Sequence, residues 1–237
     1  MPRLRLRLAA GRAATLVFTT RADGDLAVGG DPAALADRRA AVIAAPWTWL
    51  RQVHGAHVVI AEAPGQHAGV EADAVATRDL GVPIAVHAAD CAPIALVDDV
   101  GAIAVVHAGW RGLVGGVVST AVDALRELGA TSPRAVLGPC IRPTDYEFGT
   151  SDLDAIAAVL GPTVRSSTAS GAPALDLPAA VRAALAASGV TDVTDTGWST
   201  GDDERWFSHR ARRDIGRHAL VAWLEPDPEA HPVTEAA

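Results

Sequence analysis

Three short apolar runs set close together constrain this chain most: residues 84–88, 94–97 and 102–108. Each has the length of a strand and is bounded by turn residues. Ala89-Asp90-Cys91-Ala92-Pro93 separates the first two, and Asp98-Asp99-Val100-Gly101, whose Asp and Gly suit a hairpin, separates the last two. Further strand signals lie at 3–8, 15–20, 58–63, 134–137, 190–194 and 219–224. Strands joined by hairpin-like turns break the strict strand–helix–strand rhythm of a doubly wound parallel fold. They predict an α+β fold on a mixed β-sheet.

Helix signals fall between the strands. After Trp110, the residues Val114, Val117, Val118, Ala121, Val122, Leu125 and Leu128 recur at steps of three and four, one continuous apolar stripe capped by Gly129. Asp31-Pro32 reads as the cap and first turn of a helix over 31–45. Ser151 with Asp154 reads as the capping pair of a short helix stopped by Gly161, and Asp176 with Pro178 opens another stopped by Gly189. No internal repeat or linker interrupts the chain. One catalytic domain over 1–225 is expected, followed by a flexible tail over 226–237 rich in Pro, Glu and Ala.

Charge and cysteine count narrow the function. A net charge of −8 argues against nucleic acid and against an anionic membrane surface as partners. No apolar run approaches the roughly 18 residues of a membrane span. Arg3, Arg5 and Arg7 alternate with Leu4, Leu6 and Leu8, as in an amphipathic first strand, and no signal-peptide core follows them. A soluble, cytoplasmic protein is expected. The two cysteines, Cys91 and Cys140, do not make a disulfide framework in such a chain, so a metal ligand or reactive thiol is the better question.

His54, Cys91 and His107 stand in turn-rich contexts, and each histidine has a glycine close by. A catalytic zinc takes three such ligands and keeps a fourth position for water. Their spacing, 37 residues from 54 to 91 and 16 from 91 to 107, matches no local metal motif. On the residues alone, a hydrogen-bonded histidine and a small buried cysteine remain open readings.

The segments RQVHG (51–55), EADAVAT (71–77), AADCAPIAL (88–96), AVVHAGWRGL (104–113) and LGPCI (137–141) closely resemble the multicopper-laccase-domain family. That family is also known as the purine nucleoside phosphorylase family of the peptidoglycan-editing-factor type, and carries polyphenol oxidase among its labels. FTTR (18–21), DYEFG (145–149) and WFSHR (206–210) extend the likeness over nearly the whole chain. The resemblance implies a single α/β/α sandwich-like domain holding one zinc ion on His54, Cys91 and His107. It implies phosphorolysis of purine nucleosides, methylthioadenosine included, and deamination of adenosine, with nucleosides and phosphate as partners. Editing of a cytoplasmic peptidoglycan precursor by hydrolysis at the same site is the alternative it carries. A copper polyphenol oxidase fits less well, because such enzymes use HxH pairs and many ligands, and this chain has no HxH and eight histidines. No protein partner is indicated.

Around the metal, Asp90 is expected to orient a ligand or move a proton, and Arg111 to neutralise phosphate charge, as the catalytic pair. Arg21, for phosphate, and Gln52, on the His54 face of an extended segment, are the expected substrate contacts. His57 would face away from His54 on such a strand, and Cys140 is expected to pack. Where the family has an SLNLG segment and a late Cys-Thr pair, this chain lacks the first and reads Ser199-Thr200 at the second. These departures bear on substrate contacts, not on the metal.

Overall fold

The apolar runs become strands. In the computed structural model, which describes residues 1–9 and 11–229, they number thirteen, with six α-helices. In chain order the strands are β1 (Arg3–Leu8), β2 (Arg12–Phe18), β3 (Thr48–Trp49), β4 (Val58–Ile60), β5 (Ala74–Thr77), β6 (Ile84–Ala88) and β7 (Ala92–Asp98). Then follow β8 (Ala102–Ala108), β9 (Arg134–Leu137), β10 (Arg165–Ser167), β11 (Pro173–Leu175), β12 (Val193–Asp195) and β13 (His218–Pro226). The helices are α1 (Pro32–Val42), α2 (Trp110–Val114), α3 (Val117–Glu127), α4 (Thr150–Leu160), α5 (Leu177–Ala187) and α6 (His209–Arg212).

Two mixed sheets form, in the orders β1-β2-β13-β6-β3 and β12-β9-β7-β8-β5-β4, while β10 and β11 make a separate antiparallel pair. The β6–β3 pair is parallel in the first sheet, and the outer pairs β12–β9 and β4–β5 are parallel in the second. The remaining pairs are antiparallel.

Strand alternation explains why there are two sheets. Along β7, Ile94 and Leu96 face the helices, whereas Ala95 and Val97 meet Leu16, Val86 and Leu220 of the first sheet. A strand apolar on both faces must be covered on both. Here one cover is α3, α4 and α5, and the other is the second layer of strands. The outer face of the first sheet, with Val17, Ala85 and Val221, packs under Leu35 and Val42 of α1. The α+β class, the single domain and the flanking helices follow the sequence reading. The mixed sheet is doubled, because an all-apolar strand reads the same whether its second face meets a helix or a sheet.

The hairpin expected at 98–101 joins β7 to β8 in the register Asp98↔Ala102. β6 and β7, by contrast, lie in different sheets, so Ala89-Asp90-Cys91 carries the chain across from one to the other. The apolar stripe after Trp110 is two helices rather than one. Gly116 adopts φ 88°, a left-handed conformation that breaks the run between α2 and α3. The stripe resumes in phase, and burial of Val117, Val118, Val122 and Leu125 contributes about 1.5–3 kcal/mol each. Asp31 and Asp176 cap α1 and α5 through Ala34 and Ala179 as expected. The Ser151–Asp154 pair does not cap α4, whose cap position is Gly149, two residues earlier.

β13 runs to Pro226, and Asp227 is tied down by its N–H to the Gly11 carbonyl and by Arg5 on its carboxylate. Of the tail predicted over 226–237, residues 230–237 lie outside the described residues. Among the described residues, no helix is long and apolar enough to cross a membrane.

Candidate metal centre

Cys91 leads directly into β7, and His107 is the penultimate residue of β8, paired in register with Pro93 of β7. His54 arrives from the connection between β3 and β4, where it takes φ 59° in a tight bend rather than the extended conformation expected. The side chains of these three converge. Cys91 Sγ lies 3.6 Å from His54 Nε2, and all three donor atoms fall within 4.8 Å of one another. A tetrahedral zinc, with Zn–S near 2.3 Å and Zn–N near 2.0–2.1 Å, sets sulfur and nitrogen about 3.6 Å apart. The donor set therefore fits a divalent ion.

Gly109 makes the convergence possible. A Cβ there would sit 2.6 Å from His54 Cδ2 and 3.1 Å from Cys91 Sγ. Beneath the site lies Asp73, fully buried just before β5. Its Oδ1 accepts from the His54 N–H (3.0 Å) and from His107 Nδ1 (2.8 Å), and its Oδ2 accepts from the Val53 and Gly55 N–H groups. With Nδ1 engaged, His107 presents Nε2 to the metal position.

Charges in the metal-free protein are distributed accordingly. Burial opposes ionisation of Cys91, but His107 and His54 beside it pull the thiol down to about 6. Burial likewise opposes protonation of His107, and Cys91 with Asp73 pushes it up to about 9. Burial would raise the Asp73 carboxyl, yet His107 and the Gly55 N–H hold it below its usual range. The half-buried Cys91 thiol and the buried His107 imidazole thus favour their charged forms, with His107 resting on the Asp73 carboxylate.

A cavity of about 600 Å³ opens over the three ligands. Gln52 and Asp90 line it, as expected, but both side chains are already engaged. The Gln52 amide makes two 2.7 Å bonds to the backbone N–H and C=O of His87, so it fixes the wall rather than reaching inward. Asp90, at φ 98°, accepts from Thr200 Oγ1, Ser208 Oγ and the Arg210 N–H, bolting the Cys91 turn to the 199–210 segment.

The two arginines chosen from sequence are not among the residues lining the cavity. Arg111 lies over the Trp110 ring at 4.3 Å, and Arg21 is paired with Asp214 and stacked on Phe207. The cations on the wall are Arg51, Arg210 and Arg217, with His209 beside them. His57 bonds the Glu71 carbonyl, outside the ligand group. Cys140 is buried, with its thiol pushed up to about 12 by that burial, as suits packing.

Asp73 is the residue that sequence reasoning missed. It stood in view within EADAVAT, an acidic residue beside an apolar strand, and a carboxylate buried there must find partners. Among the described residues, His54, Cys91 and His107 are the one group of three donors close enough to share an ion.

Comparison with known proteins places these features in company. The family described as multi-copper polyphenol oxidoreductase laccase matches residues 16–225. A purine nucleoside phosphorylase of Streptomyces coelicolor is 40% identical over 209 residues, covering 84% of this chain and 86% of that protein. One from Mycobacterium tuberculosis is 35% identical over 229 residues, covering 88% and 91%. Among solved structures, a Neisseria meningitidis protein superposes with a TM-score of 0.79 at 28% identity, covering 95% of this chain and all of that one. YlmD from Geobacillus stearothermophilus superposes with a TM-score of 0.74, also at 28% identity, covering 94% and 100%.

Proposed function

The chain belongs to the multi-copper polyphenol oxidoreductase laccase family, and from that membership we propose that it is a zinc-dependent purine nucleoside phosphorylase, its ion held by His54, Cys91 and His107. The observation that carries the reading is a set of three donors, one fewer than a closed structural site uses, on the wall of a cavity of small-molecule size. Relatives at 35–40% identity bear the name purine nucleoside phosphorylase. Adenosine deamination and methylthioadenosine phosphorolysis are read as further activities of the same cavity.

When bound, the ion supplies Lewis acidity and a water of lowered pKa. The chain's own residues do the rest. Arg210 and Arg217 place positive charge on the wall where a phosphate dianion must be held, in place of Arg111 and Arg21. Arg210 is aimed by its bond to the Glu147 carbonyl and by stacking on Tyr146. Asp90, with three donors on its carboxylate, holds the Cys91 turn and does not serve as a free base.

A copper oxidase needs several metal sites in electronic contact, whereas the described residues hold one donor group. The test is metal analysis of the purified protein followed by incubation with inosine or adenosine, with and without phosphate, and chromatography of the bases. One zinc per chain and hypoxanthine released from inosine only with phosphate is the expected result. No base released at stoichiometric zinc, or copper-dependent oxygen uptake, overturns the proposal.

A further inference from the structure

Asp73 touches both histidines of the ligand set, by different routes. One carboxylate oxygen accepts from His107 Nδ1 at 2.8 Å. The successive N–H groups of Val53, His54 and Gly55 converge on the same carboxylate, at 3.2, 3.0 and 2.7 Å. Such a run of N–H groups is an anion nest, and it holds the bend in which His54 takes φ 59°. A non-glycine residue in that conformation costs on the order of 1 kcal/mol and needs an external hold. The Asp73 main chain is fastened too: its C=O accepts from the His107 N–H at 2.8 Å, and its N–H donates to the His57 carbonyl at 3.0 Å.

We infer that Asp73 is the positioning residue that assembles the metal site before any metal arrives. It keeps one ring proton of His107 on Nδ1, so that Nε2 is the nitrogen that gives up its proton to a metal, and it holds the bend that turns the His54 imidazole toward Cys91. The inference rests on the metal centre of the proposed function, but it concerns the chain alone.

Asp73→Asn separates the two duties. An amide can accept on one side only. With its oxygen toward His107, its NH2 opposes the Val53 and Gly55 N–H groups and the bend loses its hold. Turned the other way, it serves those two N–H groups, but its NH2 faces His107 Nδ1. That nitrogen must then accept, and the ring proton moves to Nε2, the atom meant for the metal. Either orientation disables one ligand.

Two measurements test this. In the metal-free wild-type protein labelled with 15N-histidine and held above pH 9, where the imidazolium has given up its second proton, long-range proton–nitrogen correlation reports the tautomer of His107, assigned with His107→Gln. The Nδ1–H form is expected, and an Nε2–H form overturns the inference whether or not the protein binds zinc. Competition against a chromophoric chelator then gives zinc affinities. Asp73→Asn should bind zinc about 10–100-fold more weakly than wild type. Val122→Ala, a core truncation on the buried face of α3, should lower the melting temperature with zinc affinity unchanged. Equal affinity in Asp73→Asn and wild type, or an equal loss in Val122→Ala, overturns the positioning role. Failure of the wild type to bind zinc at all would instead strike the proposed function.

Discussion

Gly109→Ala is the sharpest single perturbation the site offers. The position has φ −79° and ψ 161°, which alanine adopts without strain, so the backbone raises no objection. The obstacle is steric alone: the new methyl would lie 2.6 Å from His54 Cδ2 and 3.1 Å from Cys91 Sγ. His54 is exposed, whereas Cys91 and His107 are held by packed strand ends, so the His54 ring is the group that swings out. Release into water costs the fold little. Together with the loss of glycine from the helix start, the change should stay under about 1 kcal/mol, or a melting shift of about 2–4 °C. Metal affinity suffers far more. Structural zinc sites of four ligands gain about 10–16 kcal/mol, about 3 kcal/mol per ligand, so removal of one corresponds to about a hundredfold weaker binding. Isothermal titration with zinc, beside differential scanning fluorimetry of the metal-free protein, reads both quantities. Wild-type affinity in Gly109→Ala would show that His54 does not stand where the ligand set requires it.

Other outcomes follow from the same geometry. In the metal-free protein Cys91 should alkylate with a midpoint near pH 6; its thiolate fraction rises with pH through that value, so the rate is already full at pH 7.5, where an ordinary thiol is still climbing. Mass spectrometry should find Cys140 unmodified and zinc protecting Cys91, and a midpoint near 9 refutes the charge assignment. Asp90→Ala leaves Thr200, Ser208 and the Arg210 N–H without their acceptor, and should cost about 3 kcal/mol or more, seen as a lower denaturation midpoint; a neutral result removes its role as a bolt. Arg210→Ala should raise the KM for phosphate about tenfold or more, while Arg111→Ala changes it less than twofold, and steady-state kinetics with inosine would expose the reverse. Zinc at 100 times its Kd should raise the stability of the wild type by about 2.7 kcal/mol, which chelation removes, and a melting temperature indifferent to chelator contradicts a bound ion.

How much of this was legible in the sequence depended on whether the signal was local. The strand runs at 84–88 and 102–108 were legible because turn residues bound them, and Asp31 and Asp176 announced their helices through cap chemistry. The break between α2 and α3 was hidden, because Gly115-Gly116 interrupts the chain without disturbing the phase of the apolar stripe. That His54, Cys91 and His107 come together was signalled by resemblance and not by spacing, since 37 and 16 residues correspond to no single element. Arg111 and Arg21 lie outside the cavity lining because a long flexible side chain goes where its partner is. Their partners, the Trp110 ring and Asp214, are visible only in three dimensions. Gln52 came to the cavity wall as expected, yet the His87 backbone that occupies its amide belongs to another strand.

The doubled sheet accounts for why such distant residues meet. β3 lies in the first sheet and β4 in the second, so the connection bearing His54 is a crossing between layers. The turn bearing Cys91 is another, from β6 to β7. The 196–217 segment, from β12 back to β13, is a third, and it brings His209, Arg210 and Arg217 to the cavity and three donors to Asp90. Crossings are the places where the chain leaves its ladder, so their side chains and N–H groups are free for other work. A single-layer sheet would have spent those segments on hairpins along one edge. With two layers, three crossings gather around one cavity, and His107, at the end of a strand inside the second sheet, supplies the rigid wall against which they close. A metal ion in this group would be gripped through the layering itself: the three donors come from two crossings and a strand end, and no local stretch of chain carries them all.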